Sequence, residues 1–320
     1  MSKQITQILN IEKPIIQGPM AWSSFAPLVA AVSNAGGLGV LGIAGAPSTL
    51  VESAIKEVKS KTDKPFGINV YLNEKVIEEV LTILLKEKPD VIYVGFTDKL
   101  DKKQCEKFFT PLKKAGMKII VKVTNLSDAL DAENYGADMV VAKGWEGGGY
   151  LSEEATMSLI PILTENLHIP VIAAGGIVNG KTMAAAFALG ACGVEMGSVF
   201  LVSKENNIHD LAKKAIINSK DNSSTVIGHY ANMPIRLLKN NFSKKIEDLE
   251  KYNNINDVYD HVRSLIAVAS KKALLDGDKD NGAIMVSMSS PLIHKERNAK
   301  DIIDSTIEEY NEVIKQFQKI

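Results

Sequence analysis

The chain has 320 residues, 45% of them hydrophobic, enough to bury a substantial core in one large α/β domain or two smaller ones. Its 37 basic and 38 acidic residues leave a net charge of -1, which gives no electrostatic case for a nucleic acid or an anionic membrane as partner. The two cysteines, Cys105 and Cys192, stand far apart with no CxxC, which argues against a disulfide framework or a zinc site and fits a reducing compartment.

Met1-Ser2-Lys3-Gln4 lacks the apolar run of a signal peptide, and no apolar stretch is long enough to span a bilayer. The expectation is a soluble, cytoplasmic protein. Eight short apolar runs follow, at residues 14–20, 38–44, 65–72, 91–96, 118–124, 139–144, 171–176 and 193–200. They are near-continuously apolar rather than alternating, as strands buried on both faces are. Helical patterns separate them, over residues 25–34, 48–59, 75–86, 102–114, 126–134, 156–166 and 180–189. Strict βα repetition predicts a parallel sheet, and eight units favour closure into a (β/α)8 TIM barrel. A doubly wound open sheet is the runner-up, but the first βα turn has no GxGxxG.

After Phe200 the rhythm changes. Residues 230–275 are Lys/Asn-rich and read as helical, without strand alternation; they predict a small helical lid over the barrel mouth. The predicted division is a barrel from residues 1–225 and 283–320, with an insertion at 226–282. Asp276-Gly277-Asp278-Lys279-Asp280 has a superficial calcium-loop spacing but no downstream EF-hand glutamate, and reads as a polar turn. Residues 283–291 are small and apolar, suited to a return to the barrel, and 301–319 reads as a closing amphipathic helix.

The chemistry gathers at the ends of the apolar runs. Gly175-Gly176 and Gly197-Ser198 end the seventh and eighth, where such barrels commonly bind phosphate. Glycines also shape tight βα turns without any ligand. Other strand ends look suited to a flat ring, so flavin mononucleotide (FMN) fits better than a sugar phosphate. Gly18-Pro19-Met20 could lie under that ring, and Gly148 and Gly149 could bring backbone close to it. Asn69 is a lone amide in an apolar run, either capping local backbone or meeting a ligand edge. Lys122 interrupts the fifth strand, and a buried ammonium needs a salt bridge or the open mouth beside the flavin. Lys143, ending the sixth strand, raises the same question. The histidines, His168, His209, His229, His261 and His294, show no metal-binding spacing. Of these His168 reads as structural, and His229 could face the mouth.

Several segments together resemble one family: Pro14-Ile15-Ile16-Gln17-Gly18-Pro19-Met20, Asn34-Ala35-Gly36-Gly37-Leu38-Gly39, Pro65-Phe66-Gly67-Ile68-Asn69-Val70, Glu146-Gly147-Gly148-Gly149 and Pro170-Val171-Ile172-Ala173-Ala174-Gly175-Gly176. The chain is similar to the nitronate monooxygenase (2-nitropropane dioxygenase-like) family, which includes the flavin-dependent enoyl-[acyl-carrier-protein] reductase II enzymes. Pro234-Ile235-Arg236 looks most like the reductase branch. The resemblance implies a TIM barrel that binds FMN, with the phosphate on Gly175, Gly176, Gly197 and Ser198 and the ring near Met20 and Asn69. The chain departs from the family pattern at the tail Met285-Val286-Ser287-Met288, where the reductases usually read Met-Ala-Gly-Gln, and at three single positions. Tyr150 stands where the acid/base histidine usually follows the glycine run, Lys143 where a glutamate is common, and Val199 where an arginine often follows the Gly-Ser pair.

Three functions follow from this reading. The first is an FMN oxidoreductase that takes hydride from NAD(P)H and reduces an activated C=C bond such as an enoyl thioester, with acyl-carrier protein as a candidate partner. Tyr150 would protonate the substrate or polarise its carbonyl, since a phenol of pKa about 10 is a plausible acid and a poor resting base. Tyr150 could also be only an aromatic wall. The second is oxidation of a nitronate by O2 without NAD(P)H. The third is a flavin-binding subunit of a larger assembly. A homodimer is the candidate oligomer.

Overall fold

The computed structural model describes residues 2–72, 77–96, 99–229, 234–252 and 255–318. Its strands are β1 (Ile15–Gln17), β2 (Leu38–Leu41), β3 (Phe66–Tyr71), β4 (Val91–Gly95), β5 (Lys118–Val123), β6 (Met139–Lys143), β7 (Gly149–Tyr150), β8 (Val171–Ala174), β9 (Gly193–Met196), β10 (Ser224–Ile227) and β11 (Ile235–Leu238). Eight of them close a barrel in the order β1-β2-β3-β4-β5-β6-β8-β9. β9 pairs back onto β1 in parallel, with Ile15 opposite Val194, so the open-sheet alternative is excluded.

The apolar runs build two faces at once. Ile68, Val70, Ile92, Val94, Ile119 and Val121 turn outward and pack with residues of the surrounding helices. Ile16, Leu38, Val40, Tyr93, Ile120, Met139, Val141 and Ile172 turn inward and fill the lower bore. The helix Ser2–Leu9, which the sequence reading did not anticipate, adds Ile5 and Leu9 to that inner cluster and seals its N-terminal end.

Several strands end earlier than the sequence predicts. β1 stops at Gln17, just before Gly18-Pro19, and proline has no N–H to extend the ladder. β2 stops at Leu41 and β8 at Ala174, where Gly175 turns to φ +101°. The eighth run does not continue to Phe200: β9 ends at Met196 and Ser198–Leu201 is one helical turn. The predicted helix at 75–86 is described from Ile77, as Ile77–Glu87; its first residues lie outside the described set.

The segment after the barrel is corrected in one respect. It is not strandless: β10, β11 and β7 form a three-stranded antiparallel sheet in the order β10-β11-β7. Each strand is short, and β11 finds its partner β7 far back in the chain, where Arg236 pairs with Gly149 and Ile235 with Tyr150. The helices Asn241–Tyr252 and Ile255–Leu274 supply the helical part. Ile227, Ile235, Leu237, Phe242, Ile246 and Ile266 form a separate small core beneath them. The return segment docks on the barrel through Ser287, whose N–H donates to Ser198 Oγ at 2.8 Å. The closing helix Ala299–Phe317 buries Ile302, Ile303 and Thr306.

Candidate active site

The C-terminal ends of the barrel strands open into a cavity of about 790 Å³. Its far wall comes from the insertion and return segment, through Ile266, Ser270, Leu274, Ala283, Met285 and Ser287. That volume lies within the ordinary range of about 300–1,000 Å³ for small-molecule pockets.

One end of the cavity is built by backbone turns. Gly175 and Gly176 hold φ of +101° and +76°, a region that L side chains rarely adopt. Thr156 backs this turn, its N–H and hydroxyl donating to Glu146 Oε2 at 2.8 and 2.7 Å, with Oγ1 3.2 Å from Gly175 O. Gly197, Ser198 and Ser287 lie on the same cavity. The Ser287 hydroxyl is buried without a partner among the described residues. A buried hydroxyl left over on the same cavity as two glycine-bearing strand ends is what an oxygen-rich anion would satisfy.

The floor is charged. Lys122 on β5, Lys143 on β6 and Glu195 on β9 project into the bore above the apolar plug. Tyr93, on β4, donates its hydroxyl to Glu195 Oε2 at 2.6 Å. β4 and β9 are four strands apart in a ring of eight, so this bond spans the bore. A Cβ on Gly18 would fall 2.7 Å from Glu195 Oε1, so the glycine makes room for the carboxylate. Lys143 Nζ donates to Gly148 O at 2.6 Å. Burial pushes the Lys143 ammonium down to about 7; the neighbouring Lys122 charge adds to this and Glu195 opposes it. Burial likewise lowers Lys122, against the pull of Glu195. It raises Glu195, opposed by the Tyr93 hydrogen bond and the two lysines.

Tyr150 stands on the wall between floor and roof. β7 holds its backbone beside Ile235, its ring packs on the small insertion core, and Lys122 Nζ lies 5.8 Å from the ring centroid. Gly148 is confined by the return segment, since a Cβ there would meet the Val286 carbonyl carbon at 2.6 Å. Asn69 is buried and donates Nδ2 to Tyr93 O in the middle of β4 at 3.2 Å, while bordering the cavity.

Gly18, Pro19, Met20, Asn69, Lys122, Lys143, Gly148, Gly149, Tyr150, Gly175, Gly176, Gly197 and Ser198 all border this one cavity. No direct salt bridge of Lys122 to a neighbouring strand forms among the described residues; it faces the mouth. Sequence reading missed Glu195, Tyr93 and Ser287. A single acid inside the apolar run Gly193-Val194-Glu195-Met196 was the available signal for the first. The described histidines stand apart from the cavity. His229, His168 and His294 are exposed, and His209 caps the helix Asp210–Ile217 by accepting from Leu211 N–H at 3.1 Å. The His261 side chain lies outside the described residues. Among the described residues no cluster of metal-ligating side chains forms, and no helix is long and apolar enough to cross a membrane.

The profile of the nitronate monooxygenase family matches residues 2–82 and 75–309. A Staphylococcus aureus protein named probable nitronate monooxygenase is 32% identical, over 97% of this chain and 98% of its own length. A Rhodococcus jostii protein named (3aS,4S,5R,7aS)-5-hydroxy-7a-methyl-1-oxo-octahydro-1H-indene-4-carboxyl-CoA dehydrogenase is 34% identical over 76% of this chain and 67% of its own. Among solved structures, FabK from Thermotoga maritima superposes with a TM-score of 0.91 at 35% identity, covering 99% of this chain and 98% of that one.

Proposed function

Because this chain belongs to the nitronate monooxygenase family of flavin-dependent oxidoreductases, we propose that it binds FMN and uses NAD(P)H to reduce the C=C bond of an enoyl thioester. The observation that carries the reading is the single cavity with three unlike parts: a glycine turn with an orphan hydroxyl, a floor of amines, and an apolar roof. The likeness to FabK, an enoyl-ACP reductase II, supports the reductase branch, and a relative named for an acyl-CoA substrate supports a thioester.

The residues present fit the cofactor. Gly175, Gly176, Gly197, Ser198 and the unpartnered Ser287 hydroxyl would hold the phosphate. Asn69, Met20 and the Gly18 backbone would border the ring, and Lys122 would favour negative charge on it. Bound FMN supplies two-electron, hydride-level chemistry. The apolar roof of Ile266, Leu274 and Met285 excludes water and leaves space for an acyl chain. Tyr150 donates a proton or a hydrogen bond to the thioester side. Acyl-carrier protein is the proposed source of the thioester, in the cytoplasm.

Nitronate oxidation remains the second reading, carried by the family profile and the Staphylococcus relative. A nitronate arrives deprotonated, so tyrosine in place of a basic histidine does not forbid it. Anaerobic mixing of the flavin-loaded protein with NADH or NADPH separates the two. Rapid bleaching, followed by reoxidation with a crotonyl thioester, supports the reductase. No bleaching, with O2 consumption on adding a nitronate, supports the monooxygenase.

A further inference from the structure

The charged floor is odd in its arithmetic. Two amines and one carboxylate enter the same bore, surrounded by protein except where they border the cavity. The carboxylate is already bonded to a neutral phenol. Neither amine comes within 4.0 Å of Glu195 to close a salt bridge among the described residues; Lys143 reaches a carbonyl instead, and Lys122 an aromatic face. Two ammoniums held near each other with one shared counter-charge are costly in a low dielectric. Such a group is stable with one amine charged, and it admits a second proton when negative charge arrives beside it.

Resting on the reading of a flavin site above, we infer that Lys143 is a redox-linked proton carrier. It binds a second proton when the flavin gains two electrons, with Glu195 as its counter-charge and Tyr93 as the strut that holds Glu195 across the bore. The balance is simple. A reduced nicotinamide, or dithionite in the test, gives two electrons. One proton ends on the ring, which keeps one negative charge. The second proton, drawn from solvent, converts the Lys143 amine to ammonium. The net charge of the bore is the same before and after.

The other groups facing Lys143 do not take this role. Lys122 on β5 is lowered by burial against the pull of Glu195, and its Nζ faces the Tyr150 ring, where a cation is favoured. Tyr93 on β4 is raised well above its ordinary value, by burial and then by Glu195, and stays neutral. Tyr71 on β3 and Tyr150 on β7 are phenols near the same cavity. In the glycine loop, Glu146 turns its carboxylate to Thr156, bonding its N–H and hydroxyl. Glu195 is raised by burial against the Tyr93 hydrogen bond and the two lysines, and it serves as the counter-charge; Lys143, pushed down to about 7 by burial and Lys122, is the amine whose proton occupancy changes near neutral pH.

Potentiometric titration of the FMN-loaded protein between pH 6 and 9 tests this without turnover. The proton count per two electrons is expected to rise from about one to about two as pH passes roughly 7, where Lys143 begins to lose its proton in the oxidised protein. Lys143→Met removes that rise. Glu195→Gln removes the favourable counter-charge and moves the rise to lower pH. NMR of protein carrying 13C-labelled lysine, before FMN is added, gives the same answer independently. The signal lost in Lys143→Met titrates with a midpoint near 7 in the wild type and lower in Glu195→Gln. A loaded wild type that takes up one proton throughout, a rise that survives Lys143→Met, or a Lys143 midpoint near the ordinary ~10.4 overturns the proton role while leaving the flavin site standing. A protein that binds no FMN overturns both.

Discussion

The lower and upper halves of the barrel bore are built on the same strands and do opposite things. Below, Ile16, Leu38, Val40, Met139 and Ile172 meet Ile5 and Leu9 of the N-terminal helix in an apolar plug. Above, two residues beyond Ile16, Ile120 and Val141 on β1, β5 and β6, the inward positions become Gly18, Lys122 and Lys143, and Glu195 enters from β9. The plug is closed by packing alone; the mouth is stocked with groups that packing alone would reject. A buried amine or carboxylate costs stability unless something compensates it. The plug is where this chain gains the stability to hold that floor. A strand of this barrel packs into the plug at its start and presents its polar groups to the cavity at its end.

The largest effect expected from breaking the upper half alone is that of Gly176→Asp. A carboxylate would enter the proposed phosphate turn, and a side chain at φ +76° costs about 1–3 kcal/mol in backbone strain. FMN at about 100 times its Kd should stabilise the wild type by about 2.7 kcal/mol, read as a rise in melting temperature. The variant should show no such rise. Next is Tyr150→Phe, which keeps the ring on the wall and removes only the hydroxyl. Loss of a general acid should slow reoxidation by the thioester by about 10²–10⁴-fold while leaving flavin reduction nearly intact in stopped flow. A wild-type rate would assign Tyr150 to the wall.

Breaking the lower half should do the reverse. Ile5→Ala empties a fully buried position in the plug and should cost about 2–5 kcal/mol in denaturant unfolding, with the FMN Kd unchanged. A loss of FMN affinity in the folded variant would mean the two halves are coupled. The smallest effect is that of Thr156→Val, which removes the hydroxyl bonded to Glu146 at 2.7 Å behind the glycine turn. It should cost about 1–2 kcal/mol of stability and weaken FMN binding modestly, measured by calorimetry.

The sequence made the lower half legible and the upper half partly so. Each of the eight barrel strands lies inside an apolar run, because strands covered on both faces leave a local signal. Gly175-Gly176 and the lone Lys122 were visible for the opposite reason: they break such runs. Glu195 broke one too, but its meaning comes from barrel closure, which carries β9 opposite β4 and onto the Tyr93 hydroxyl. The antiparallel sheet was hidden in the same way. β7 is two residues long, and its pairing with β11 spans more than eighty positions of chain. The helix Ser2–Leu9 carries its apolar residues at Ile5, Ile8 and Leu9 over little more than two turns, too short for periodicity to announce it.

The central claim is that the mouth of this barrel is a flavin site serving an NAD(P)H-driven reduction. Anaerobic stopped flow on the FMN-loaded protein tests it most directly. The account predicts that NADH or NADPH bleaches the flavin rapidly and that a crotonyl thioester restores its colour. Flavin that stays oxidised under both nucleotides, in a protein that consumes O2 when given a nitronate, would contradict it.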